Sequence, residues 1–312
     1  MGMGEVTEID ILVCEVGLRD GLQNAIGIMP TAAKKAWISQ AAKAGLRDIE
    51  VCSFVPAKLV PGMEDADAVV AHGLSIAGLS VAVLAPNLRG AVDAFRAKAH
   101  KITLPVSISD SHSRANVRKS RAEMIAEVGR VCEARDQLPA GYRPHIEAGL
   151  ATAFGCTIEG RVPERDVLET AVACIEAGCD EVGLSDTCGY ANPEQVKRLF
   201  RLTKAEVGEA SNGVHLHNTY GLGLANAFAA IEAGATTLDS SLGGLGGCPF
   251  APGASGNIVT EDLVYMLEAQ GLRTGIDIEA LLACREIVAA ALPGDSLYGF
   301  VAEAGLPKGF RS

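Results

Sequence analysis

Residues 175–184 read "IEAGCDEVGL", and the pattern returns as "AKAGLRDIEV" at 42–51, "IEAGATTLDS" at 231–240 and, more loosely, "FRAKAHKITL" at 95–104. Each reads as the end of a helix, a Gly or Lys where a left-handed residue closes it, and then a strand. Recurrence at about 50 residues, loosely kept, implies βα modules rather than a solenoid. Outward from these anchors, short apolar runs at 9–15, 48–52, 80–85, 101–106, 145–150, 180–185, 214–217 and 237–241 read as strands. Between them lie amphipathic stretches such as 31–44, 121–136, 163–177, 193–207 and 224–233. Thr31 and Asn192 stand where a helix N-cap belongs, and Pro193 follows at a first-turn position. Eight strand-then-helix units predict an α/β fold, a (β/α)₈ TIM barrel, with an open doubly wound sheet as the alternative. No Pro/Gly/Ser tract divides the chain. One catalytic domain is therefore expected over 1–312, the barrel spanning about 8–270 and a helical extension about 276–312.

Composition agrees with that frame and narrows the partners. Hydrophobic residues make up 48% and charged residues 21%, enough for a large packed core. A net charge of −11 argues against a nucleic-acid partner, which would need a basic stripe, but leaves room for an anionic small ligand. Nine cysteines with no CxxC pair point to a reduced protein rather than a disulfide scaffold. No apolar run reaches the roughly 18 residues of a membrane span, and the N-terminus has no basic segment of a signal peptide. The expectation is a cytoplasmic protein without a membrane partner.

The barrel gives the polar residues a common address, because sites of this fold lie at the carboxyl ends of the strands. In "EVGLRDGLQN" (15–24), Glu15, Arg19 and Asp20 arrive where a strand-end turn would ordinarily be small and neutral. Glu50 ends strand two, Asn87 follows strand three, Glu147 lies in strand five and Asp186 follows strand six. Strand seven ends in "HLHN" (215–218), and residues two apart on a strand point the same way. His215 and His217 thus aim two imidazoles into the mouth, unless they are simply hydrogen-bonded core histidines. Asp20 supplies a carboxylate from across the barrel, and Asn257 could add an amide oxygen. Two His, one Asp and one Asn leave two positions open on an octahedral ion. Thiolate-free ligation of that kind suits Mg²⁺ or Mn²⁺, with Fe²⁺ and Zn²⁺ as competitors.

The stretch "GGLGGCPFAPGASGN" (243–257) holds six glycines and two prolines, so it is neither helix nor interior strand. It reads as a phosphate cradle or a lid, with Cys248 as an acid/base or nucleophilic group. Cys14, Cys174 and Cys179 read as core. His72, His100 and His112 have no evident partner, and His145 begins a strand away from the site. The segment "SFVPAKLVPGM" (53–63), with Lys58, either covers a substrate or is a structural loop.

At these residues the sequence resembles the 3-hydroxy-3-methylglutaryl-CoA lyase family of the metal-dependent lyase and Claisen-condensing TIM-barrel superfamily. The resemblance spans roughly residues 8–292 and rests on "EVGLRDGLQN", "SFV" with "VPGMED", "LAPNL", "HLHNTYG" and "GGLGGCPFAPGASGN" followed by "TEDLVYML". It implies Asp20, His215, His217 and Asn257 as metal ligands, Arg19 as the catalytic arginine and Cys248 as the loop cysteine. It further implies Glu50 and Asp186 as active-site acids, Gln23, Ser53 and Asn87 as substrate contacts, an acyl-CoA substrate, and a homo-oligomer, dimer or larger. The chain departs from the family pattern at Ala25 (commonly Glu), Asn218 (commonly an acid) and Ser185 (commonly Gly), which puts the acyl group in question. The implied reaction cleaves a 3-hydroxyacyl-CoA between C2 and C3. The ion acidifies the hydroxyl, Arg19 stabilises the enolate oxygen, and Asp186 or a histidine takes the proton. Hydroxymethylglutaryl-CoA leads, with citramalyl-CoA as the rival substrate. A condensing synthase of the isopropylmalate type and a silent CoA-binding scaffold fit less well.

Overall fold

The structure is a computed structural model that describes residues 9–246 and 256–310. Eight strands, β1 (Leu12–Glu15), β2 (Asp48–Ser53), β3 (Ser80–Leu84), β4 (Lys101–Ser107), β5 (His145–Ala151), β6 (Glu181–Asp186), β7 (Gly213–Leu216) and β8 (Thr237–Ser240), form a closed barrel in sequence order. Every pairing is parallel, and β1 closes the ring against β8. Closure excludes the open doubly wound sheet.

The helices follow the strands as α1 (Thr31–Lys43), α2 (Ala66–Leu74), α3 (Leu88–Ala97), α4 (Asp110–Val117), α5 (Arg121–Asp136), α6 (Glu164–Glu176), α7 (Pro193–Val207), α8 (Gly223–Glu232) and α9 (Thr260–Ala269). The extension contributes α10 (Ile278–Ala291) and α11 (Phe300–Ala304). β4 is followed by two helices, of which the short α4 sits over the mouth. The repeated helix-to-strand junctions have the expected geometry: Gly45, Gly178 and Gly234 have φ of 107°, 101° and 100°, and Lys98 takes the same left-handed region at 67°. Gly45 is also required sterically, since a Cβ there would run into the Gly275 carbonyl.

Asn192 caps α7 by accepting the Gln195 N–H at 3.0 Å. Thr31 does not cap α1: extended Pro30 (φ −60°, ψ 143°) takes that position, so Thr31 is the first helical residue. The first strand starts at Leu12 rather than residue 9, because Asp10 turns out to meet the Arg273 guanidinium at 2.7 Å. α10 packs on α1 and closes the helical ring at its seam.

Candidate active site

A 580 Å³ cavity opens at the carboxyl ends of the strands and continues down the barrel axis, past Lys101 and Glu181 at the amino ends of β4 and β6. Alternation explains its walls. Asp48 and Glu50 on β2, Thr237 and Asp239 on β8, and His215 on β7 face inward, while Ile49, Leu216 and Leu238 are fully buried in the layer between sheet and helices.

Arg19 and Asp20 lie in a single π-helical turn, Gly17–Gly21, directly after β1. Buried Glu15 shapes that turn. Its carboxylate accepts the Gly17 N–H at 2.8 Å, the Leu242 N–H at 3.0 Å and the Thr260 hydroxyl at 2.7 Å, joining β1, the β8 loop and α9. Burial pushes Glu15 up to about 7 against those donors. From the turn, Arg19 donates Nε to Glu50 at 2.5 Å and Nη1 to Asp20 at 2.6 Å. Burial opposes the arginine's charge, but Glu50 and Asp20 outweigh it and hold Arg19 protonated. Burial raises Glu50 to about 7 despite its arginine, and its Oε1 is buried without a partner.

Asp20, His215 and His217 come together as one donor set, each offering one ligand atom within 4.8 Å of the others. His215 Nε2 lies 3.1 Å from His217 Nε2, and the two nitrogens lie 4.0 and 3.9 Å from Asp20 Oδ2. Although burial penalises its charge, Asp20 is held at about 2 by Arg19 and the two histidines. Burial and the neighbouring His215 charge lower His217 to about 4. His215 moves the other way: Asp239, 3.2 Å from its Nδ1, and Asp20 overcome the burial penalty. Asn257 completes the group. Its Nδ2 donates to Asp20 Oδ2 at 2.7 Å and to the Leu245 carbonyl at 3.1 Å, leaving Oδ1 buried and unpaired. Two imidazole nitrogens, a carboxylate and an unpaired amide oxygen form a donor set of the kind that a divalent ion takes, and an ion would displace the proton that His215 otherwise favours.

The remaining expectations divide. Gln23 and Asn87 line the cavity, though Asn87 Oδ1 also caps α3 through the Gly90 N–H at 3.0 Å. Ser53 is wholly buried and is not on the cavity wall; a bulge between Glu50 and Cys52 breaks the alternation of β2 before it. Asp186 is not on the wall either. Its two oxygens accept the Tyr190 and Ala191 N–H groups at 2.8 and 3.1 Å, fastening the β6 loop, and burial raises it to about 6. Cys248 lies outside the described residues.

Val55, Pro56, Leu59 and Val60 bring the 53–63 loop onto the cavity, while Lys58 is exposed. Cys14 is buried but lines the cavity close to Asp48 and Asp239, so its surroundings are polar. Three histidines expected to lack partners have them. His72 Nε2 meets Ser39 Oγ at 2.8 Å, His100 Nδ1 accepts the Val81 N–H at 3.1 Å, and His112 Nδ1 lies 2.8 Å from Ser107 Oγ on the cavity wall.

Sequence reading missed Asp239, Arg118 and the ion pair of Glu261 with Arg285 at 2.5 Å. That pair ties α10 to α9 beside Gly243, whose N–H also donates to Glu261 at 3.0 Å. Asp239 was signalled only by a lone acid at an inward position of β8. Among the family departures, Ser185 is on the cavity wall, whereas Asn218 Oδ1 accepts the Gly223 N–H at 3.0 Å and serves the β7 loop.

Among the described residues, no helix is long and apolar enough to cross a membrane. A family model described as HMGL-like matches residues 10–288. The chain is 38% identical over 282 residues to the mitochondrial hydroxymethylglutaryl-CoA lyase of Mus musculus, covering 90% of this chain and 86% of that one. It is 38% identical over 295 residues to a hydroxymethylglutaryl-CoA lyase of Bacillus subtilis, covering 93% and 97%. A solved structure of an HMG-CoA lyase from Acinetobacter baumannii, in complex with coenzyme A and 3-methylmalate, superposes with a TM-score of 0.89 at 39% identity over 97% of each chain.

Proposed function

The chain belongs to the HMGL-like family, and on that premise we propose that it is a divalent-metal-dependent carbon–carbon lyase cleaving 3-hydroxy-3-methylglutaryl-CoA to acetyl-CoA and acetoacetate. The observation that carries the reading is the convergence of Asp20 Oδ2, His215 Nε2 and His217 Nε2 beside an arginine that is itself held by two carboxylates. Asp20, His215, His217 and Asn257 Oδ1 would hold Mg²⁺ or Mn²⁺, a thiolate-free set of two nitrogens and two oxygens with positions left open suiting those ions. When bound, such an ion acidifies a substrate hydroxyl and orients it.

The chain's own groups do the rest. The C2–C3 bond breaks, the 3-hydroxyl becomes the ketone of acetoacetate, and the bonding electrons pass to the thioester as an enolate. Arg19, permanently charged and fixed by Glu50 and Asp20, stabilises the enolate oxygen. Glu50 suits the proton acceptor better than Asp186: it lines the cavity, is raised to about 7 and has a free Oε1. Protonation of the enolate at C2, a role that suits Cys248, gives acetyl-CoA. Val55, Pro56, Leu59 and Val60 on the cavity wall would exclude water over the acyl group. Arg118, exposed and unpaired among the described residues, stands on the wall near α4, where it suits a coenzyme A phosphate. Cytoplasmic location and homo-oligomeric assembly belong to the same proposal.

Turnover of hydroxymethylglutaryl-CoA and citramalyl-CoA should be measured side by side, before and after chelation and with Mg²⁺ or Mn²⁺ restored. The former should be preferred, and its cleavage should vanish and return with the ion. Preference for citramalyl-CoA would transfer the reading to that substrate, and full activity in the chelated protein would remove the ion from it.

A further inference from the structure

We propose that Asp239 is a positioning residue for the ion site, its carboxylate fixing the ring and proton of His215 so that Nε2 faces Asp20 and His217. An imidazole between two groups can serve only one of them with its lone pair. Asp239 Oδ2 stands 3.2 Å from His215 Nδ1, so that nitrogen carries the hydrogen. The lone pair then lies on Nε2, which points at His217 Nε2 and Asp20 Oδ2. A carboxylate behind a ligating histidine sets its tautomer, restricts its rotation and makes it a better donor.

Two further observations favour this role over simple charge balance. The register pairs His215 directly with Asp239, and both side chains line the cavity; a slip of one residue would put Leu238 or Ser240 there instead. Among the described residues, no cation other than His215 lies within ion-pair distance of Asp239, although Lys101 sits deeper in the same cavity and pairs with Glu147 and Glu181. The second imidazole has no such support, since His217 Nδ1 is buried without a partner. Of the two rings, His215 is therefore the one held by a carboxylate.

This inference rests on the ion reading, and its test separates the two. Mn²⁺ is titrated into the metal-free full chain and into Asp239→Ala, Asp239→Asn and Asp20→Ala, with nitrogen NMR of labelled histidines at alkaline pH as a second readout. Asp239→Ala should weaken Mn²⁺ by about 10–100-fold and move the His215 hydrogen off Nδ1. Asp239→Asn keeps the size and an accepting carbonyl without the charge, so it should fall between wild type and alanine, and it stands in if the alanine variant does not fold. Unchanged Mn²⁺ affinity and an unchanged tautomer in the Asp239 variants, with affinity lost in Asp20→Ala, would overturn the role of Asp239 alone. Wild-type affinity in Asp20→Ala would remove the ion site and this role with it.

Discussion

At the floor of the cavity Lys101 reaches Glu147 at 2.8 Å and Glu181 at 3.4 Å, and Glu181 meets His145 at 2.9 Å. At the mouth Glu50 Oε1, His217 Nδ1 and Asn257 Oδ1 are buried with no partner. Both ends are charged, and the carboxylates at both are largely buried, so neither charge nor burial tells them apart. Completeness does. A buried polar network that satisfies all of its members is part of the scaffold, whereas one that leaves acceptors open is waiting for something from outside. On this criterion the floor network belongs to the scaffold, and the mouth network is the one left open.

Substitution at each end should separate the two. At the mouth, Arg19→Lys keeps a cation but loses the planar fork, so turnover should drop about 10²–10³-fold, or roughly 3–4 kcal/mol. The loss should appear in kcat rather than KM, with the melting temperature and Mn²⁺ content near wild type. Normal turnover with a raised KM would instead make Arg19 a substrate anchor.

Lys101→Met at the floor should do the reverse, costing about 3 kcal/mol of stability by leaving the Glu147 carboxylate without an ion-pair partner and Glu181 with His145 alone, with kcat little changed. The sign of its pH dependence follows from Glu147, which burial already raises above its ordinary value. Without Lys101 the folded state holds its proton more tightly than the unfolded chain. The deficit should therefore be largest above neutrality and shrink as the pH falls toward the unfolded value, as urea titrations at several pH values will show. A floor variant that is stable but inactive would erase the distinction between the two ends.

The smallest effect is expected at the rim. Arg118→Ala should raise the KM for the CoA substrate about 2–5-fold through loss of an exposed charge contact, and the difference should fade at high salt. An unchanged KM at low salt would take Arg118 out of the binding surface.

Much of this was legible in the chain. The four repeated helix-to-strand junctions carried the barrel, because a left-handed residue between a helix end and an apolar run is a local signal. His215 and His217 were legible for the same reason, since alternation along β7 and one residue past its end needs no knowledge of its neighbours. Asp239 was not, because its meaning comes from the register of β7 against β8, which no local pattern encodes. What surrounds Ser53 and Asp186 was not legible either: a bulge precedes the first, and a pair of loop N–H groups binds the second. The partners of His72, His100 and His112 come from other elements or from a turn, so strand and helix periodicity gave no hint of them.

The seam between first and last elements bears on how the chain is made. Asp10 binds Arg273, the Asp277 N–H donates to the Ala44 carbonyl at 2.8 Å, and Asp295 receives the Ile26 N–H at 2.8 Å. All join residues more than 230 positions apart, as do Asp20 and Asn257. During synthesis, β1 waits with its outer edge unpaired until β8 emerges, and the loop after it stays untied until residue 295 is free of the ribosome. The donor set therefore cannot assemble until residue 257 has emerged and the barrel has closed, and a nascent chain stalled or clipped before β8 presents an open strand edge, a target for chaperones, before it can capture any ion.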